Sequence, residues 1–162
     1  MIRTLRLCAF IIVALLLQTA VLPAYLEAPF RPNLLLVFVV YLGLRETAGG
    51  TWCFAFLAGL VQDCFSGLYL GLNGFVSLLT YLLLKLVTDY LYTDSRYLLG
   101  LVVFVASFVA GLLQLLLLGI FSTADGIYAV LLPSLLPQAL VNTFCASVVA
   151  IYLPANVVEE GR

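Results

Sequence analysis

The chain has 162 residues, 65% of them hydrophobic and 9% charged, with a net charge of −1 and a mean hydropathy of +1.21. A soluble domain carries about 25% charged residues, so this composition excludes a water-soluble globule and predicts a single all-α integral membrane domain over 1–162, without a separate soluble module. The small net charge gives no bulk attraction to nucleic acid, and the absence of histidine removes the commonest metal ligand and general base.

A hydrocarbon core of roughly 30 Å needs about 20 helical residues, and six apolar segments are predicted. The first spans 5–22 and ends at Pro23. Arg3 and Arg6 flank it as in a signal peptide, but no A-x-A cleavage pattern follows, so a retained signal-anchor helix is expected. The second covers 33–44, just after Pro32. The third covers 51–66, separated from the second by Arg45-Glu46 and the Gly49-Gly50 turn. One long helix through this region would place Arg45 and Glu46 in mid-membrane, at about 2.5–3.5 kcal/mol each. The fourth covers 73–89 and the fifth 97–121. In the last apolar stretch Asp125-Gly126 marks a turn, and Pro133 and Pro137 are expected to split the stretch. That leaves 127–132 at the interface, with Tyr128 as an anchor, and a sixth span over 134–153.

Basic residues set the orientation. With a cytoplasmic N-terminus and six spans, Arg3, Arg6, Arg45, Lys85, Arg96 and Arg162 fall inside and only Arg31 outside. Both termini are then cytoplasmic, and the 23–32 and 62–73 connections share the outer face.

Residues 62–73, Gln-Asp-Cys-Phe-Ser-Gly-Leu-Tyr-Leu-Gly-Leu-Asn, interrupt a nearly uniform run of Leu, Val, Phe and Ala. A carboxylate, two carboxamides, a serine and two glycines at the end of an apolar helix are costly in lipid and mark unusual backbone. Two readings of Asp63 stand. It is solvated at the outer interface or bonded to amides of the Gly67 turn, or it is a buried carboxylate that orders the loop and contacts a partner or ligand. Gly67 and Gly71 allow tight turns, Asn73 is placed to N-cap the fourth helix, and Ser66 can act similarly. Gln62, Asp63, Ser66, Gly67, Gly71 and Asn73 are therefore the candidate structural and partner-binding residues.

Arg45 and Glu46 form an inner-face charged loop suited to an ion pair or a lipid headgroup. Lys85, Asp89, Asp94 and Arg96 make a second, mixed-charge inner loop. Small residues recur four apart at Ala55 and Gly59, Ser107 and Gly111, and Ala146 and Ala150, a spacing that lets helices approach closely in lipid. Gln114 and Asn142, each inside a span, are expected to face the bundle interior and hydrogen-bond there. Cys8, Cys53, Cys64 and Cys145 lack CxxC spacing and read as small packing residues. There is no HExxH, GxGD or Walker A motif and no Ser-His or Cys-His couple. No enzyme activity, cofactor or metal is expected.

Arg31-Pro32-Asn33 with the following Leu34-Leu35-Leu36-Val37, closing at Leu44-Arg45, resembles the second span of the MreD family of rod shape-determining membrane proteins. The run from Phe56 to Asp63, then Ser66-Gly67, then Gly71-Leu72-Asn73, is similar to that family's best-marked region. Asn33 departs from the acidic residue expected after the proline. It keeps the hydrogen-bonding shape without the charge. The resemblance covers 31–73 by motif, and it implies a bacterial inner-membrane protein that partners MreC. Through MreC it implies association with MreB, RodA and a class B penicillin-binding protein. It also implies a layout similar to the substrate-binding component of energy-coupling-factor transporters.

Two functions follow as expectations. The first is a non-enzymatic scaffold of the cell-wall elongation (rod) complex that helps maintain cell shape. In it the 62–73 turn fixes the outer face, and a small-residue face, with Ser107 and Gly111 as candidates, receives the span of MreC. The alternative is a small-molecule-binding membrane subunit of a vitamin-type transporter, with Tyr25, Gln62, Asp63 and Asn73 supplying polar groups to a pocket.

Overall fold

The computed structural model describes residues 2–27, 30–45, 50–66, 69–88, 96–121 and 127–152. Among these every extended element is helical: α1 (Ile2–Leu16), α2 (Leu22–Tyr25), α3 (Leu34–Arg45), α4 (Thr51–Ser66), α5 (Leu72–Thr88), α6 (Arg96–Phe121) and α7 (Ile127–Tyr152), with a π-helical turn, Leu17–Val21, joining α1 to α2. Three stretches are long and apolar enough to cross a membrane: Leu7–Tyr25, Leu99–Phe121 and Leu131–Val149. The apolar helices Leu34–Leu44, Thr51–Phe65 and Leu72–Thr88 are shorter. At 1.5 Å per residue α3 rises about 18 Å, whereas α6 and α7 each rise about 39 Å. The short helices therefore end within the depth spanned by the long ones.

The central helix is α3. Its sequence has no polar face, and Leu35 to Val40, Leu42 and Leu44 are all buried, as expected of a helix that is apolar all round. One side packs with Ile11, Ala14, Ala55, Ala58 and Tyr81. The other packs with Leu84, Val102, Val103, Ala106 and Ala146. Phe10 of α1 stacks on Phe38 at 5.0 Å between ring centroids. Helices α4 and α5 form one antiparallel hairpin and α6 and α7 another, with α3 between them and α1 along its flank.

The outward faces are apolar. On α6, Leu101, Val105, Phe108, Leu112, Leu116 and Ile120 are exposed at helical spacing, while Ser107 points inward and is buried. Polar inside and apolar outside is the distribution that a lipid solvent selects.

The last helix corrects an expectation. Pro133 and Pro137 lie inside a continuous α7 rather than dividing it. Each proline removes one amide and frees the carbonyl one turn earlier, and packing against α6 holds the helix together across both. Ser134 Oγ donates to the Leu131 carbonyl at 2.7 Å. Of the cysteines, Cys53 and Cys145 are partly buried as packing residues, but Cys8 and Cys64 are exposed.

Small residues set the closest helix contacts, as their spacing predicts. A Cβ on Gly59 would overlap the backbone carbonyl of Asn73 and lie 2.6 Å from Ser77 Oγ. Ala55, one turn earlier, is fully buried. Gly59→Ala is expected to lower the thermal unfolding midpoint in detergent, with a cost of about 1–3 kcal/mol from forced separation of α4 and α5. Gly100→Ala, whose Cβ would meet Ser147 Oγ at an ordinary 3.5 Å, should leave the midpoint nearly unchanged.

Candidate functional site

An α-helix begins with amides that have no intrahelical acceptor, and inside a bilayer no water is present to take them. Helices α3 and α5 both begin among buried residues, and each is capped by side chains.

At α5 the cap comes from α4. Asp63, 3% exposed, accepts from Gly71 N at 2.9 Å and Gly74 N at 3.1 Å through Oδ2. Its Oδ1 accepts from Asn73 N at 3.0 Å and Asn73 Nδ2 at 2.9 Å. Leu72 N donates to the Tyr69 carbonyl at 3.3 Å and Phe75 N to the Gly71 carbonyl at 2.8 Å, so the first turn of α5 is fully satisfied. The carboxylate also faces the positive end of the α5 dipole. Gly71 has φ +95°, a conformation that favours glycine, and this lets the chain turn its amide toward Asp63.

At α3 the cap is shared. Asn33 Oδ1 accepts from Leu36 N at 3.0 Å, the ordinary N-cap arrangement. Asn33 N donates to Asn142 Oδ1 of α7 at 2.7 Å, and Leu35 N donates to Gln18 Oε1 at 3.4 Å. Asn142 is fully buried, and its Nδ2 donates to Ser107 Oγ at 3.0 Å. One carboxamide thus ties α3, α6 and α7 together.

Between these two caps lies a cavity of about 30 Å³, against the roughly 10–15 Å³ that one water molecule needs. Its lining includes Asn33 of α3, Gln62 of α4, and Asn73 and Ser77 of α5. The long hairpin adds Ser107 and Gln114 from α6, and Gln138 and Asn142 from α7. The polar groups are carboxamides and hydroxyls, and among the described residues no lining residue is charged. Among the described residues no group of three or more His, Cys, Asp or Glu side chains is placed to hold a metal ion.

The structure brings Gln62, Asp63, Gly71 and Asn73 together with Ser107 and Asn142. Asp63 is the buried carboxylate of the second reading, and it accepts from backbone amides of residues 71–74. Asn73 does not N-cap α5 with its own oxygen; it lies inside the first turn and donates its amide to Asp63, because the carboxylate of α4 already occupies the capping position. Ser107 faces Asn142, and Gly111 packs against Leu135 of α7, so both lie on the contact between α6 and α7. Ser66 ends α4 and Arg45 ends α3. Gly67, Glu46, Asp89 and Asp94 lie outside the described residues.

Gln138 and Gln18 were not singled out from sequence. Gln138 stands one turn before Asn142, on the same helical face, and that spacing is the signal that could have found it. Gln18 lies in the π-helical turn, where helical periodicity points a side chain in the wrong direction.

Asp63→Ala would leave the amides of Gly71, Asn73 and Gly74 without their acceptor, at about 1–3 kcal/mol for each buried group. It is expected to lower the unfolding midpoint in detergent and to make the chain near residues 69–71 cleavable by added protease. Asp63→Asn keeps one acceptor oxygen and should lose markedly less. Asn142→Leu should likewise destabilise, since it leaves Asn33 N and Ser107 Oγ without their partner; a midpoint equal to wild type would contradict the shared cap.

No curated protein and no solved structure matches the chain. The family model of the rod shape-determining protein MreD matches residues 1–155, which include both helix caps and every residue of the cavity lining. The chain is a member of the MreD family, rod shape-determining proteins of the bacterial membrane.

Proposed function

We propose that this chain is a non-enzymatic scaffold of the cell-wall elongation complex in the bacterial inner membrane, and that it binds MreC directly. MreB, RodA and a class B penicillin-binding protein are the further members of the assembly. The observation that carries the proposal is the family match over residues 1–155. Its support in the chain is the absence of histidine together with the engagement of Asp63, whose oxygens are occupied in capping α5. A carboxylate so engaged is a fixed structural group, poorly suited to proton transfer.

The topology proposed is six crossings with both termini cytoplasmic, following the excess of Lys and Arg on one side. The short helices α3, α4 and α5 then run from the inner face to the polar layer, and residues 69–71 lie toward the outer side. A bundle with a capped α5 start and apolar flanks suits the reception of a single partner span by helix packing.

The test is recovery of tagged protein from native nanodiscs, with mass spectrometry of what accompanies it. MreC together with elongation enzymes is the expected result, and Asp63→Ala is expected to reduce that recovery severalfold. Recovery instead of an ATPase pair with a coupling subunit would overturn the scaffold and establish a subunit of a vitamin-type transporter.

A further inference from the structure

We propose that the cavity between the two helix caps is a binding recess for the uncharged, hydroxyl-bearing headgroup of an amphiphile. The floor is formed where α3 starts, α4 ends and α5 starts, at Asn33, Gln62 and Asn73. The long helices continue past this level. From Gln114 to the end of α6 at Phe121 the rise is about 10 Å, and from Gln18 to the end of α2 at Tyr25 it is similar. The recess therefore lies below the ends of the long helices, at a depth that acyl chains and headgroups reach.

Three of its carboxamides are already committed. Asn33, Asn73 and Asn142 are held by the capping bonds, and they give the recess a rigid frame. Gln62, Gln114 and Gln138 come from three different helices, converge on the same space, and make no side-chain hydrogen bond to another described residue. Each carries two donors and an acceptor. The three side chains are half-buried, and no buried side-chain polar atom among the described residues lacks a partner, so their amides open into the recess, where a hydrogen-bonding guest reaches them.

The chemistry of the lining selects among occupants. Among the described residues no lining residue carries a charge, so a phosphate or carboxylate would enter without a counter-ion from them. None of the described lining residues is aromatic, so they give a flat heteroaromatic ring nothing to stack on. A carboxamide both donates and accepts, as a hydroxyl does, so hydroxyls are the complementary group. The volume admits the tip of a headgroup, not an entire large one. The inference concerns the bundle itself and is independent of the MreC assignment.

The experiment measures binding of octyl glucoside to the full-length protein in nanodiscs by native mass spectrometry, with octyl phosphate and octane as comparison probes. Saturable binding of the glucoside is expected, with octyl phosphate and octane failing to compete. Gln114→Leu and Gln138→Leu should each weaken it at least tenfold while leaving the unfolding midpoint at or above the wild-type value. Equal retention of all three probes would overturn the proposal, as would glucoside binding unchanged in both variants, or no saturable binding, which would leave a recess filled by water alone. Should a variant fail to fold, competition among the three probes on the wild-type protein decides the matter by itself.

Discussion

Three of the helices are shorter than the roughly 20 residues of a membrane span, and the ends of α3, α4 and α5 meet beside the long helices, among buried residues. Every backbone amide at such an end must find an acceptor within the protein. The capping bonds of Asp63 and Asn33, joined by Asn142 and Gln18, are the solution this chain uses. Most of the polar residues in the bundle interior belong to that solution, which is why they gather in one layer instead of scattering along the helices.

The layer also fixes how the helices pack. Asp63 can reach the α5 amides because α4 and α5 approach closely at Gly59. Asn142 can reach Asn33 because α7 stays helical through two prolines, delivering its carboxamide to the start of α3. Close packing and polar satisfaction thus depend on one another: separate the helices, and the amides lose their acceptors. A bundle bound in this way is held at one end by polar bonds, while the exposed face of α6 carries a row of large apolar side chains.

Asp63 accepts hydrogen bonds through both oxygens, and the described lining of the cavity consists of carboxamides, hydroxyls and apolar side chains, groups that hold positions within the bundle. This agrees with a family whose recorded property is the determination of rod shape.

Hydropathy and the polar insert at 62–73 are local properties of the chain, and both were legible directly. The sequence by itself determined that the protein is helical and lipid-solvated, that Asp63 and its neighbours are exceptional, that Gly59 marks a close helix contact, and that Asn142 faces inward. Local spacing could not say which helix end Asp63 would cap, because that acceptor comes from the preceding helix. Asn73 looked like the cap since the sequence shows only its own position, not the carboxylate already placed above it. The continuity of α7 was equally invisible: two prolines weaken a helix locally, and only packing against α6 outweighs them. The polar cavity was decided by tertiary structure alone, since it exists only where the ends of three short helices meet the middles of two long ones.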